Sequence, residues 1–438
     1  MTGQAPALLG GPAYPLRAVT TIVMKFGGTS VADAEQIKRA AGRIVAKRES
    51  GYRVVAVLSA RGKTTDELIA MAEEVSPAPD PRELDMLLST GERISCALCA
   101  MAINDLGEQA LSLTGSQAGI VTDTSHTKAR ILDVRTERIE AALEDDKIVL
   151  VAGFQGVSTS RDVTTLGRGG SDTTAVALAA ALGAEECEIY TDVAGVFSAD
   201  PRLVPDARLL PVVSFEEMLE MSASGAGVLQ LRSVEYARNH GVRIHCRSSL
   251  DDGPGTVVVS EQDTLEQPLV TAVTHSTGEA RITLLGVPDQ PGIAGRIFGA
   301  LADANVNVDM IIQNEPLADG RRADMSFTVA RDDIRIARAA LEVVVEEVGI
   351  GAVAMDQEMG KVSIVGAGMR THPGVAAKVF NVLGEAEINI EMISTSPIKI
   401  SCVIPGARVA DAVRLLHAAF NLEGADTILA EDPFGGPR

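Results

Sequence analysis

Residues 23–30 read Val-Met-Lys-Phe-Gly-Gly-Thr-Ser and combine the end of a strand, a lysine and a glycine pair. The apolar residues 21–24 predict a strand that brings Lys25 to its carboxyl end, and the two glycines let a ligand come close to the backbone. Ser30 is predicted to cap the following helix, whose free amides attract anions. The pattern predicts a phosphate site. The alternative is a strand-to-helix turn that needs glycine for its conformation alone.

Outward from this stretch, β-rich and helical segments alternate up to about residue 260. Alternation of this kind predicts an α/β fold, in which a largely parallel sheet is sandwiched by helices. The helical period is plain in residues 31–48, where apolar residues recur on one face. We predict strands over 21–27, 53–60, 147–155 and 186–192, and helices over 31–48, 65–75, 82–104 and 172–183.

Length and composition define the broad class of protein. A chain of 438 residues, 46% of them hydrophobic, is long enough for about three domains with cores of their own. No apolar run reaches the roughly 18 to 20 residues that span a bilayer, and residues 1–20 do not resemble a signal peptide. We expect a cytoplasmic protein whose residues 1–20 form a disordered tail.

Charge and cysteine content exclude several kinds of function. A net charge of −20 argues against binding of nucleic acid, so any anionic substrate needs a local basic cluster. The five cysteines show no disulfide framework, and Cys96 and Cys99 lie in an apolar run that indicates a buried core. The six histidines are scattered, and no metal site is predicted.

The last third of the chain contains a repeat. Residues 281–298 are similar to residues 361–380, and the spacing of about 80 residues fits two small βαββαβ domains rather than a solenoid. Two such domains suggest a sensor, and a dimer interface is the alternative. A last strand near 427–430 would complete either the second repeat or the first. The predicted parts are the tail 1–20, a first domain 21–260, a linker and start of the regulatory region 261–280, and the repeats 281–357 and 361–438.

A glycine-rich loop, Thr165-Leu-Gly-Arg-Gly-Gly-Ser-Asp-Thr-Thr174, opens a predicted helix. The amides of the loop and of the helix start can hold an anion. Arg168 can bind a carboxylate through two nitrogens, and Asp172 can bind an ammonium group. An anion and a cation held close together describe an amino acid. A capped helix start with a solvent-exposed arginine is the alternative.

Two further acidic motifs follow the same reasoning. Glu92 interrupts an otherwise apolar helix, so it either protrudes or takes part in a site. Thr191, Asp192, Asp200 and Arg202 follow the predicted strand 186–192, and open α/β sheets bind nucleotides beyond the carboxyl ends of their strands. A structural turn at the Asp-Pro pair is the alternative.

Six motifs occur in one order along the chain: Lys25-Phe-Gly-Gly-Thr-Ser30, Val57-Leu-Ser-Ala60, Thr90-Gly-Glu-Arg-Ile-Ser95, Gly153-Phe-Gln-Gly156, Gly167-Arg-Gly-Gly-Ser-Asp172 and Tyr190-Thr-Asp192. In these motifs the chain resembles the aspartokinases, amino-acid kinases that phosphorylate the side-chain carboxylate of L-aspartate. It is most similar to the actinobacterial enzymes regulated by lysine and threonine. The repeats resemble the ACT domains that bind feedback amino acids. The resemblance implies ATP with Mg²⁺ as the phosphoryl donor.

The resemblance also implies a role for each matching residue. Lys25 would neutralise charge on the transferring phosphoryl group, Glu92 would hold the α-ammonium group of aspartate, and Arg168 would hold its α-carboxylate. No general base is needed, because the attacking carboxylate is already ionised at neutral pH. The other catalytic and substrate-binding residues implied are Asp172, Ser59, Thr65, Gly169, Gly170 and Ser171. The residues implied around the nucleotide are Lys25, Phe26, Gly27, Gly28, Thr191, Asp192, Phe197, Asp200, Arg202 and Gly227.

The effector contacts that the resemblance implies lie in both repeats. Sites between ACT domains, often across a dimer, would couple effector binding to activity. We expect inhibition by threonine, lysine or both, and a homo-oligomer formed through these domains. The implied contacts are Asp289, Gly292, Asn307, Val308, Asp309 and Gln313 in the first repeat, and Val375, Ala376, Asn389, Ile390, Thr395 and Ser396 in the second.

Two positions depart from the pattern of the family. Gly227 stands where the family commonly has a phosphate-facing lysine, and Phe197 stands where many members have tyrosine. We therefore expect weakened ATP binding with the chemistry preserved. The alternatives are a kinase for glutamate or an acylated amino acid, and a non-catalytic amino-acid sensor built on an inactive kinase.

Overall fold

The structure, a computed structural model, describes residues 20–260, 269–314 and 322–424. The chain forms two compact units, Met1–Tyr190 and Thr191–Arg438. Residues 1–19 of the predicted tail, residues 261–268 of the predicted linker and the predicted strand near 427–430 lie outside the described residues. The predicted domain boundaries therefore stay predictions.

The first unit alternates strands with helices, as the sequence predicts. Its strands are β1 (Thr21–Phe26), β2 (Arg53–Leu58), β3 (Ala110–Leu113), β4 (Ile120–Thr122), β5 (Ile131–Val134), β6 (Ile148–Ala152), β7 (Gln155–Ser158), β8 (Val163–Thr165) and β9 (Cys187–Thr191). Its helices are α1 (Ala34–Glu49), α2 (Thr64–Val75), α3 (Pro81–Leu88), α4 (Thr90–Asp105), α5 (Glu137–Glu144) and α6 (Gly170–Ala181). The main sheet has the order β9-β1-β2-β6-β3, and all of these pairs are parallel.

A smaller sheet in the same unit has the order β5-β4-β7-β8. Its central pair, β4 and β7, is parallel, and its outer pairs are antiparallel. None of these four strands is among the predicted elements. They are three or four residues long, which is too short to show a period of two in the sequence.

The core of the first unit lies between the main sheet and helices α1 and α4. Met24 and Leu58 of the sheet pack with Ile44 of α1 and with Cys96 and Cys99 of α4. The helical face predicted for α1 is confirmed, because Ile37, Ala40, Ala41, Ile44 and Val45 are its buried residues. Burial raises the pKa of the Cys99 thiol to about 12, so Cys99 is an inert core residue, as predicted.

The helix predicted over 82–104 is two helices in the structure. Asp80 caps α3 by accepting hydrogen bonds from the amides of Arg82 and Glu83, and Ser89 separates α3 from α4. Glu92 therefore lies in the first turn of α4 and not in the middle of a long helix.

The combined stretch Pro81–Asp105 is long and apolar enough to cross a membrane, judged by length and composition. This finding differs from the expectation that the chain contains no such run. Among the described residues it is the one helical stretch that meets the criterion. Cys96, Cys99 and Ile103 pack in the core of the first unit, which explains the apolar sequence.

The helix start after the glycine pair also differs from the prediction. Residues Gly28–Val31 form a short 3-10 helix, and α1 begins only at Ala34, with Asp33 as its N-cap. The Asp33 carboxylate accepts from the amide of Gln36 at 2.9 Å, and the Gln36 side chain accepts from the amide of Asp33 at 3.2 Å. The Ser30 hydroxyl is buried without a hydrogen-bond partner in the described part of the chain. The prediction that Ser30 caps this helix is wrong, because the 3-10 turn places the helix start further along.

The second unit begins with strands β10 (Val212–Ser214), β11 (Ile244–Ser248) and β12 (Thr256–Val259) and helices α7 (Phe215–Ala223) and α8 (Leu231–His240). β12 pairs with β10 in parallel and with β11 antiparallel. A capping box starts α7, because Ser214 and Glu217 each accept a hydrogen bond from the other's backbone amide.

The two predicted repeats form two four-stranded sheets. The elements from the end of the linker through the first repeat are β13 (Ala272–Ser276), β14 (Glu279–Pro288), α9 (Ile293–Asp303), β15 (Val308–Gln313), β16 (Arg322–Ala330), α10 (Ile334–Val348) and β17 (Ala352–Asp356). Those of the second repeat are β18 (Met359–Val365), α11 (Val375–Glu385), β19 (Met392–Ser396), β20 (Lys399–Pro405) and α12 (Val409–Ala419). The first sheet has the order β15-β16-β14-β17 and the second β13-β18-β20-β19.

Strand β13 joins the sheet of the second repeat, although it precedes the first repeat in the chain. It pairs antiparallel with β18 along its whole length, from Ala272 opposite Val365 to Ser276 opposite Lys361. The first repeat is therefore inserted between two neighbouring strands of the second.

Candidate active site

The carboxyl end of β1 brings Lys25 into contact with Asp172, the third residue of α6. The Nζ atom of Lys25 lies 2.5 Å from Oδ1 of Asp172, and the side chains are 12% and 7% exposed. Removing one partner of a buried ion pair leaves an uncompensated charge, so each side chain stabilises the position of the other. The sequence predicts both residues for the site, and the structure brings them together.

The glycine pair after Lys25 serves packing more than the sequence suggests. A Cβ on Gly28 would lie 2.9 Å from the carbonyl oxygen of Ala60, so this close approach requires glycine. The amide of Gly27 donates to the carbonyl of Tyr190 at 3.2 Å and is not free to hold a phosphate, contrary to the prediction. Phe26 is fully buried and stacks on Tyr190 with ring centroids 4.8 Å apart. Its side chain therefore belongs to the core and not to a nucleotide site.

A close contact between a helix and a loop positions Glu92. A Cβ on Gly91 would lie 2.8 Å from the Cβ of Ala60, so glycine lets α4 approach the loop after β2. The Glu92 side chain is almost fully buried, and its Oε1 atom accepts from the amide of Ala60 at 3.3 Å. Its second oxygen, Oε2, has no hydrogen-bond partner among the residues that the structure describes. Glu92 does not protrude, so the alternative that left it at the surface is wrong.

Burial raises the pKa of Glu92 to about 7, although two backbone hydrogen bonds and the charge of Arg93 act in the opposite direction. A buried carboxylate with one oxygen that lacks a hydrogen-bond partner is a suitable partner for a cationic group of a ligand. Ser59 follows directly after β2, and Thr65 lies in the first turn of α2. Both residues are half-buried. The amide of Ser59 donates to the carbonyl of Phe26 at 3.1 Å, so Ser59 follows directly on the strand ladder.

The loop before α6 holds Arg168 at the surface. Gly167 and Gly169 on either side of it have φ values of 81° and 72°, a conformation that favours glycine. The Arg168 side chain is 93% exposed, and its Nη2 atom lies 3.8 Å from the Asp66 carboxylate. Gly170 and Ser171 are buried at the helix start. In this structure Arg168 is thus solvated, whereas Glu92 and Asp172 are buried and Lys25 is 12% exposed.

A buried aspartate that the sequence analysis missed supports this loop. Asp85 of α3 is fully buried and accepts from the hydroxyl of Thr165, the first residue of the loop, at 2.5 Å. It also accepts from the amide of Thr127 and lies 2.7 Å from Nδ1 of His126. A buried carboxylate needs several partners, and here they join α3 to two loops. The signal available in the sequence was one aspartate between Leu84 and the apolar residues Met86, Leu87 and Leu88.

In the second unit, most of the predicted nucleotide residues line one cavity of about 480 Å³, a volume typical of ligand sites. Thr191, Asp192, Phe197, Asp200, Arg202 and Gly227 all lie in its wall. The sequence analysis missed the contribution of Val273, Thr274 and His275, which belong to β13 of the regulatory region. Since they are far from the other lining residues in the chain, no local motif could have revealed them.

The charged side chains in the wall of this cavity largely neutralise one another. Arg202 makes a two-pronged ion pair with Asp200, with Nη2 2.7 Å from Oδ2, and this hydrogen bonding holds the pKa of Asp200 below its usual range. Burial lowers the pKa of His275, so its imidazole is neutral at pH 7. Gly227 is exposed, and a Cβ there would meet no described atom within 4 Å. Its neighbour Gly225, with φ of 105°, would place a Cβ 1.9 Å from the carbonyl oxygen of His275.

The predicted effector residues lie at equivalent places in the two repeats. Gly292 and Gly374 are the N-caps of α9 and α11, with φ of 92° and 98°. Asn389 donates to Glu391 at 3.0 Å, and Ser396 donates to Glu220 of α7 at 3.0 Å. The others lie beside these caps or along the edge strands β15 and β19: Asp289, Asn307, Val308, Asp309 and Gln313, and Val375, Ala376, Ile390 and Thr395.

A buried lysine missed by the sequence analysis links the two repeats. Lys361 of β18 is 2% exposed, and its Nζ atom lies 2.5 Å from both Glu279 and Asp309 of the first repeat. Burial alone would lower the pKa of Lys361, but the two carboxylates outweigh it and raise the pKa. The predicted effector residue Asp309 is therefore held by a cation of the second repeat.

Comparisons with known proteins agree with this architecture. Residues 20–248 match the amino acid kinase family, and residues 281–346 and 362–420 each match an ACT domain. An amino-acid kinase domain followed by two ACT domains is the class of protein that these matches define.

Similar proteins identify the family within this class. The chain is 56% identical to the aspartokinase of Mycolicibacterium smegmatis over 92% of its own length and 97% of the relative. Its structure is similar to that of E. coli aspartokinase III in complex with aspartate and ADP, with a TM-score of 0.79 and 26% identity over 91% of this chain and 99% of that one. The complex of the same E. coli enzyme with lysine and aspartate is similar with a TM-score of 0.69, 26% identity and the same coverage. The chain belongs to the aspartokinase family and is an aspartate kinase.

The buried carboxylate of Glu92 predicts a pH dependence of aspartate binding. An ammonium group binds the ionised carboxylate, and a pKa of about 7 in the free protein means that ionisation is lost as the pH falls through 7. The KM for aspartate should be lowest at pH 8 and should rise about tenfold per unit below pH 7. Initial rates at saturating ATP between pH 6 and 8 measure this.

Glu92→Gln is the control for this pH dependence, because it keeps the shape of the side chain and removes its titration. We expect a raised KM for aspartate that no longer changes with pH. A pH dependence that survives in Glu92→Gln would contradict the assignment of the titrating group.

Proposed function

We propose that the protein transfers the γ-phosphoryl group of ATP to the β-carboxylate of L-aspartate, giving 4-phospho-L-aspartate and ADP. This acyl phosphate would feed the biosynthesis of lysine, threonine, methionine and diaminopimelate in the cytoplasm. The observation that carries the proposal is the buried Glu92 carboxylate with its unfilled oxygen Oε2, because an α-ammonium group is the cation that would complete it.

The chemistry requires charge neutralisation more than proton transfer. An oxygen of the β-carboxylate forms a bond to the γ-phosphorus while the bond to the bridging oxygen of ADP breaks, and no proton has to move. Lys25 carries the positive charge suited to the phosphoryl oxygens, and Asp172 holds its ammonium group in place. Arg168, whose side chain is exposed to solvent, would bind the α-carboxylate when aspartate enters.

The cavity of the second unit is the proposed nucleotide site. Its volume suits a nucleoside, and Arg202 at its rim is a cation for phosphate oxygens. ATP would enter as its Mg²⁺ complex, so the metal is part of the substrate. No resident metal site is proposed.

Trapping of the product with hydroxylamine tests the reaction directly. Aspartate with ATP and Mg²⁺ should give the hydroxamate, and glutamate should not. Lys25→Ala should lower kcat by about 100-fold or more, because one group that stabilises the transition state is lost. Lys38→Ala, which removes an exposed lysine of α1, is the matched control and should retain the rate. Equal hydroxamate from glutamate, or full turnover by Lys25→Ala, would refute the proposal.

We also propose feedback inhibition by lysine, threonine or both through the ACT domains, within a homo-oligomer. The E. coli relative binds lysine, and the predicted contacts of this chain lie on the exposed edge strands and helix caps of the repeats. Either amino acid alone, or the two together, should lower the initial rate, and Gln313→Ala, at the exposed end of β15, should relieve the inhibition. An unchanged rate with each amino acid and with the pair would count against the proposal.

The glycine at position 227 predicts a nucleotide affinity that can be improved. Gly227 is exposed beside the cavity, has no positive φ and leaves room for a side chain, so Gly227→Lys can be accommodated. One added charge-assisted contact should lower the KM for ATP by about tenfold. Gly227→Gln, similar in length and uncharged, is the control. A KM for ATP that stays the same in Gly227→Lys would contradict the prediction.

A further inference from the structure

A buried hydrogen bond joins the second ACT domain to the wall of the nucleotide cavity. We use the name nucleotide loop for residues 196–204, which include the lining residues Phe197, Ala199, Asp200 and Arg202. Ser198 lies between two of these lining residues and is fully buried. Its Oγ atom is 2.9 Å from Nε2 of His417, a fully buried residue of α12.

The other contacts of Ser198 identify the hydrogen-bonding form of His417. The Ser198 hydroxyl accepts from the amide of Arg208 at 2.8 Å and donates to the carbonyl of Leu422 at 3.3 Å. A serine oxygen can accept twice and donate once, so His417 completes the set if Nε2 carries the proton and donates. The tautomer protonated at Nδ1 would bury an unpaired N–H, since Nδ1 has no partner among the described residues. Burial also lowers the pKa of His417, which keeps the ring neutral.

The nucleotide loop packs against the same domain by its apolar residues. Ala199 and Val204 belong to the hydrophobic cluster formed by Val413 and Leu416 of α12 and by strand β18. The guanidinium of Arg414 donates to the carbonyl of Leu203 at 3.1 Å.

The backbone of the loop is held from a second direction by the regulatory region. The amide of Val273 in β13 donates to the carbonyl of Ser198 at 2.7 Å, and β13 is an edge strand of the sheet of the second ACT domain. The carbonyl and the hydroxyl of Ser198 thus each make a hydrogen bond to an element of that domain, while its amide donates to the carbonyl of Arg208.

We propose that His417 is a positioning residue for the nucleotide, which holds Ser198 and thereby the flanking Phe197 and Ala199 in the shape that binds ATP. The second ACT domain is then a structural part of the ATP site and not only a sensor attached to it. The inference rests on the proposed function of the cavity as the nucleotide site.

The test compares His417→Leu with His417→Gln in the full-length protein. Leucine fills the space but leaves Ser198 without its donor, whereas the amide of glutamine can donate from nearly the place of Nε2. We expect His417→Leu to raise the KM for ATP about tenfold and to leave the KM for aspartate within about twofold. His417→Gln should restore the KM for ATP to within about twofold of the parent value.

Two further variants separate positioning from a general loosening of the domain. Val379→Ala removes packing of α11 from the same cluster and leaves α12 and Ser198 intact, so it should leave the KM for ATP nearly unchanged. Ser198→Ala should act like His417→Leu, and the double variant should be no worse than either single variant, because the two side chains form one interaction. If His417→Leu does not fold, the smaller change Ser198→Ala decides the question.

An unchanged KM for ATP in folded His417→Leu, an equal rise in Val379→Ala, or no recovery in His417→Gln would overturn the inference. Arg202→Ala separates this failure from that of the proposed function. If Arg202→Ala raises the KM for ATP and His417→Leu does not, the cavity binds the nucleotide and only the role of His417 is wrong. If neither variant changes it, the assignment of the cavity itself fails.

Discussion

The ion pair between Lys25 and Asp172 constrains most of what surrounds it in the first unit. It connects the end of the central strand β1 to the start of α6, and both charges lie largely out of water. Neither charge could be kept there alone, because an isolated buried charge is very costly. The tight glycine contacts at Gly28 and Gly91 both meet Ala60, whose amide donates to Glu92.

The same arrangement recurs at the other cations described above. Arg202 is bound to Asp200, and Lys361 is bound to Glu279 and Asp309. In a chain with a net charge of −20, each of these cations is neutralised by carboxylates before a ligand arrives. An anionic ligand at such a site therefore has to compete with, or rearrange, an existing ion pair. Glu92 is the opposite case, since its Oε2 atom has no hydrogen-bond partner among the described residues.

The sequence predicts those parts of the fold and of the site that depend on neighbouring residues in the chain. The parallel sheet and the buried face of α1 follow from period and motif, and the placing of Lys25 and Asp172 in one site follows from the resemblance, whereas their ion pair does not. Two of the wrong predictions concern single backbone groups at the end of β1 and the start of α1. A 3-10 turn over Gly28–Val31 delays the start of α1, so Asp33 is its N-cap instead of Ser30. The amide of Gly27 donates to the carbonyl of Tyr190 on the neighbouring strand.

Long-range contacts were beyond the reach of such reasoning. His275 reaches the nucleotide cavity from a segment assigned to the linker and the start of the regulatory region, and Asp85 binds loops some distance along the chain. Neither carries a periodic or motif signal, because the partners become neighbours only in the folded protein. Arg168 illustrates the reverse situation, since its motif is clear and its side chain is still solvated in the structure.

The insertion of the first ACT domain between β13 and β18 has a consequence for the order of folding. During synthesis β13 emerges before the whole first repeat, and its partner strand emerges after it. Pairing β13 with β18 across a flexible chain of that length would have an entropic cost of loop closure. A first repeat that has already folded brings its two ends together and so reduces this cost. A product that started after residue 276 could form the first repeat intact and would lack one edge strand of the second.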